Sequence, residues 1–125
     1  MNAILRAQNA YGLSNRSIRT ARDTEYEAVA RATQNLKSAA DTNPLDMAKL
    51  ARAVSDNREL WTLFAVQVAD TDNSLPAQLR ASIFYLAEFT NAHSSKVLSR
   101  AASVDALIEI NTAVMRGLRD AGPAK

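Results

Sequence analysis

SLPAQLRASIFYLAEFTNAHSSKVLSRA, residues Ser74 to Ala101, is the longest segment of this 125-residue chain that reads unambiguously as one helix. Pro76 falls in its first turn, where a missing backbone N–H costs nothing, and Ser74 is placed to cap it. At about 100° per residue, Leu75, Leu79, Ile83, Leu86, Thr90 and Val97 share one face, with Ala87 and Ala101 at its margin. That face must be covered by other helices, whereas Arg80, Glu88 and Asn91 lie away from it and can stay in water. Phe84, Tyr85 and Phe89 also lie off the stripe, so one buried face cannot hold every aromatic. They need a second neighbour or a partner.

Working outward towards the N-terminus, Asp70-Thr71-Asp72-Asn73 is a short polar turn, which makes the preceding helix antiparallel to this one. That helix is introduced by Asn43 as a cap, Pro44 at its first position and Asp46 in its first turn, where negative charge suits the helix dipole. Its apolar face runs through Leu45, Met47, Leu50, Ala51, Val54, Trp61, Phe64, Ala65 and Val68. Asn57 and Arg58 interrupt the stripe for one turn. Either a single helix of about 25 residues carries a polar patch there, or Ser55-Asp56-Asn57 caps a second helix; the single helix is preferred.

Before the Asp41–Pro44 break, Ala21, Glu25, Val29, Ala32 and Leu36 form a thin, alanine-rich stripe that ends near Ala40. Thr20 with Asp23 and Thr24 with Glu27 both have capping-box spacing for its start. On the other side of the central helix, Ser103 can cap a last one, with Asp105 favouring its start and Arg116 and Arg119 its end. Its stripe is Val104, Leu107, Ile108, Asn111, Val114, Met115 and Leu118, and Gly117 or Gly122 can stop it, with Pro123 beyond. Asn111 is a polar amide in the middle of that apolar face. The simpler reading is a hydrogen-bonded residue that sets helix register; the alternative is a residue lining a groove.

The expected fold is therefore all-α, a compact bundle of four or five helices spanning 20–122, preceded by a partly ordered N-terminal arm at 1–19. Its core should contain Val29, Leu36, Leu50, Val54, Trp61, Phe64, Val68, Leu79, Ile83, Leu86, Val97, Leu107, Val114 and Leu118. Composition agrees. Hydrophobic residues make up 47% and charged residues 22%, and only three Gly and three Pro punctuate the chain. No signal-peptide pattern or membrane-length apolar run is present, which makes the cytoplasm the default compartment and no membrane the expectation. Residues 1 to 22 carry Arg6, Arg16, Arg19 and Arg22 with no acid, a net +4, while the remainder holds 11 basic and 13 acidic residues. That arm is either a solvated end or a contact for RNA or an acidic protein surface.

Catalytic chemistry is hard to find. Without Cys, and with His93 as the single histidine, neither a thiolate nor a histidine metal cluster can be assembled. There is no phosphate loop, no nucleophile motif and no carboxylate pair with acid–base spacing. Glu25 and Glu27 point to different sides of their helix. The expectation is a protein without enzymatic activity, cofactor or metal.

Five segments then point to a family. NAYG at Asn9–Gly12, TEYEAVARATQNL in the first helix, Asn57-Arg58-Glu59-Leu60-Trp61, LPAQLRASI from Leu75 and LIEINTAVMRGL from Leu107 resemble, in the same order, segments of the alphaproteobacterial flagellar regulator FlaF. The combination rests on Asn57, Leu60, Trp61, Leu75, Pro76, Leu79, Arg80, Ile110, Asn111, Met115, Gly117 and Leu118. The resemblance covers the chain from about residue 9, and residues 1–8 fall outside it. It implies a flagellin-binding chaperone or regulator for flagellin synthesis or export and filament assembly, acting with flagellin and the companion regulator FlbT. Phe84, Tyr85 and Phe89, with Ile110 at the margin of the last helix, are the expected partner-binding residues. Two other readings stand beside it: an RNA-binding regulator of flagellin expression using the arginine arm, and a subunit whose exposed face is a homo-oligomer interface.

Overall fold

The computed structural model describes residues 24–120, and among them it holds four helices and no strand. Helix α1 covers 24–40, α2 Met47–Ala69, α3 Ala77–Leu98 and α4 Asp105–Asp120. The expected arm, the Thr20–Asp23 cap, Gly122 and Pro123 lie outside the described residues.

The region from Leu45 to Ala69 is one helix after its first two residues, and Asn57 lies inside it. Its start differs from the expected one. Asp46, not Asn43, is the cap, its carboxylate accepting from the Lys49 N–H at 3.1 Å, and Pro44 precedes the helix after a cis bond. The α2–α3 turn is held by its own side chains: Asp70 Oδ1 accepts from Asp72 N at 2.9 Å and Asn73 Oδ1 from Leu75 N at 3.0 Å. Ser74 is therefore not the cap of α3. Pro76 occupies the N-cap position in an extended conformation, and the helix begins at Ala77. Arg80, expected in water, is half-buried and folds back on the turn, donating to the carbonyls of Val68 and Asp70 at 3.1 and 3.2 Å. It thereby satisfies C-terminal carbonyls of α2 that the helix leaves unpaired.

Helix α3 ends in a Schellman motif. Arg100 adopts a φ of 66°, the Ala101 N–H bonds Lys96 O at 2.8 Å and the Arg100 N–H bonds Val97 O at 3.0 Å. Ser103 does assist α4, its hydroxyl accepting from Asp105 N at 3.2 Å. Gly117 does not stop α4, which runs through it to Asp120.

The core divides into two apolar clusters. One contains Val29, Trp61, Phe64, Val68, Leu75, Ile83, Ala87 and Val114; the other contains Leu36, Ala39, Leu50, Ala53, Val54, Val97, Val104 and Leu107. Fully burying a Leu, Val or Phe stabilises by about 1.5–3 kcal/mol, so these two clusters hold the bundle. All fourteen expected core residues are accounted for, with Leu79 and Leu86 only half-buried, packed against the first cluster. Along the chain, each helix passes between the clusters through a polar residue. Thr33, Asn57, Thr90, Ser94 and Asn111 are all buried, and together they form a polar waist. Asn111 confirms its simpler reading here: its Oδ1 accepts from Trp61 Nε1 and its Nδ2 donates to Asn57 Oδ1, both at 2.8 Å.

Candidate partner-binding face

The expected site residues sit on α3, and two sets of contacts orient that helix. Towards α2, Arg58 donates to the Asn91 carbonyl and the Ser95 hydroxyl, while Asn91 is exposed as expected. Towards α4, Leu79 Cδ1 comes within 3.7 Å of where a Cβ on Gly117 would lie, and His93 Nε2 is 3.2 Å from the Ser103 carbonyl oxygen. Turning by about 100° per residue from these anchors, Phe84 falls on the flank beside α2, Tyr85 on the outer crest and Phe89 on the flank towards α4.

All three aromatics are exposed, at 43% for Phe84, 66% for Tyr85 and 41% for Phe89. The helix is amphipathic only in part, because no described neighbour covers this side. Phe89 stacks on His93, ring centroids 5.4 Å apart and planes 12° off parallel, so the histidine is a packed surface residue. Beside Tyr85 lies a shallow open concavity of about 480 Å³ lined by Gln78, Ala81, Ser82, Tyr85 and Leu86. Ile110 is half-buried and packs against the first core cluster, so it belongs to the floor of the α3–α4 flank more than to its rim.

Helix α2 adds two exposed apolar residues that sequence reasoning left out, Leu63 at 56% and Val66 at 66%. Both lie off the α2 stripe, Val66 furthest from it, and that was the available signal. Exposed apolar side chains are therefore carried by α2 as well as by α3.

The residues that carry the resemblance do different work. Trp61, Leu75 and Leu118 are core, Asn57 and Asn111 form the waist, and Leu60, Leu79 and Met115 pack half-buried at cluster edges or beside α4. Pro76 and Arg80 shape the α2–α3 turn, and Gly117 lies within α4 opposite Leu79. They build the scaffold, and the exposed aromatics are presented on it. Among the described residues no group of three or more His, Asp or Glu side chains could hold a metal, and no helix is long and apolar enough to cross a membrane.

No curated protein and no solved structure matches the chain. A family model described as flagellar protein FlaF matches residues 7–118, which takes in all five resembling segments and all four described helices almost to the end of α4. The chain belongs to the flagellar protein FlaF family, and its role lies in flagellar biogenesis.

Proposed function

We propose that this protein is a non-enzymatic, cytoplasmic flagellin-binding chaperone or regulator, covering amphipathic helices of unassembled flagellin during its synthesis or export. The observation that carries the reading is the exposed aromatic side of α3, Phe84, Tyr85 and Phe89, in a member of a flagellar family. Three large exposed aromatics on one helix are costly to leave uncovered, and an amphipathic helix laid across a helical face is an economical cover. Flagellin supplies such helices before they meet their filament neighbours. FlbT is the expected companion in the same step.

The test is calorimetric titration of the folded protein with monomeric flagellin, and with flagellin truncated at either end, at low and raised salt. Saturable binding that survives salt and disappears with one truncation is expected. The Phe84→Ser, Phe89→Ser double variant should weaken it by about 10- to 100-fold, the loss typical of two anchoring aromatics. Unchanged affinity in the folded double variant rejects this face. Absence of flagellin binding together with RNA binding that falls steeply with salt would instead select the +4 segment at residues 1 to 22 as the working part.

A further inference from the structure

The polar waist contains more hydrogen-bonding capacity than its protein groups use. Asn57 Nδ2, Thr90 Oγ1 and Ser94 Oγ are buried and without a hydrogen-bond partner among the described residues, although Asn57, Thr90 and Ser94 are each 0% exposed. Hydroxyls inside helices commonly turn back to the carbonyl four residues earlier. Thr33, Thr62 and Thr112 do so, at 2.7, 2.9 and 2.8 Å. Thr90 and Ser94 do not.

The three residues belong to the same stretch of the α2–α3 contact. Thr90 and Ser94 are one turn apart on the same face of α3. The residue after Asn57, Arg58, reaches Asn91 O and Ser95 Oγ, the immediate neighbours of Thr90 and Ser94, so Asn57 faces the same turn from α2. Asn57 cannot turn away to find another partner, because its Oδ1 is held by Asn111 Nδ2 at 2.8 Å. An amide donor and two hydroxyls thus occupy the stretch of α2 and α3 that separates the two apolar clusters.

We infer that the waist binds one buried water molecule between α2 and α3. Its oxygen accepts from Asn57 Nδ2, and its two hydrogens are donated to Thr90 Oγ1 and Ser94 Oγ. Three bonds is the usual complement of a buried water, and every polar atom of the waist then has a partner.

The test combines a high-resolution crystal structure with the stabilities of Thr90→Val, Ser94→Ala and the double variant, all measured by urea unfolding. Density for a water about 2.7–3.2 Å from Asn57 Nδ2 and both hydroxyls is expected. Each single substitution should lower the folding equilibrium constant by about fivefold, the net value of one hydrogen bond. The double variant should lose less than the product of the two, because both act through one water. A dry waist with the hydroxyls turned to Leu86 O and Thr90 O overturns the inference. So does a folding constant that rises in Thr90→Val, since removing an unpaired buried hydroxyl would stabilise the chain.

Discussion

Trp61 and Asn111 are fifty residues apart in the chain, and the indole N–H of the first donates to the amide oxygen of the second at 2.8 Å in the centre of the bundle. The same amide passes the interaction on to Asn57, so α2 and α4 are joined at one height through three side chains. Both bonds are inaccessible to water, where an unmade partner costs its full desolvation.

Asn111→Leu therefore leaves Trp61 Nε1 and Asn57 Oδ1 unpaired in the core. We expect a loss of about 2–4 kcal/mol in unfolding free energy, read by circular dichroism in urea. Adding Trp61→Phe removes the stranded donor, so the double variant should be less unstable than the sum of the singles.

Arg100 holds the left-handed position at the end of α3 with a φ of 66°. A side chain at such a position is strained where glycine is not. Arg100→Gly should stabilise the fold by about 1 kcal/mol, which for a domain of this size raises Tm by about 4 °C or more. The small loss is the Arg100 Nη1 contact to Met47 Sδ at 3.4 Å, which is solvent-exposed.

Gly117 lies within α4, and a Cβ there would meet Leu79 Cδ1 at 3.7 Å, an ordinary van der Waals distance. Gly117→Ala should add about 0.5–1 kcal/mol through helix propensity and reduced freedom of the unfolded chain. Thermal unfolding checks this. A fall in Tm would mean that α3 and α4 approach more closely than these contacts indicate.

Arg80 connects the start of α3 to the end of α2 through two carbonyls, Val68 and Asp70. Arg80→Met keeps most of the aliphatic stem and removes both bonds, so it should cost about 1–3 kcal/mol, the range for hydrogen bonds from a charged donor. Hydrogen exchange should quicken at the last turn of α2 before it does so elsewhere.

Much of this was legible in the sequence. The 3.6-residue period identified the buried face of each helix, in α2 from Leu50 onward, although Leu45 and Met47, expected on it, are exposed. The polar runs at Asp41–Pro44 and Asp70–Asn73 marked the breaks. Helix starts were less legible because Asn43 and Asp46 are chemically similar caps within one turn of each other, and Ser74 lies within one turn of Pro76, which takes the N-cap position of α3. Their local preferences differ by less than the packing that follows. Asn57 carried the same signal as Asn111, since it stands three residues after Val54 and four before Trp61. Read alone it interrupts a stripe, and read with Asn111 it is half of a pair.

The sequence by itself determined an all-helical chain, the apolar face of each helix, the family, and the presence of aromatics that no single stripe could bury. Tertiary structure decided which helices face one another and at what height. Only that relation shows that Asn57, Thr90, Ser94 and Asn111 meet at a common waist, and that Phe84 and Phe89 leave α3 on different flanks. The physical reason is that periodicity records the rotation of one helix about its own axis, whereas the offset between two helices is set by side chains that interlock only after packing.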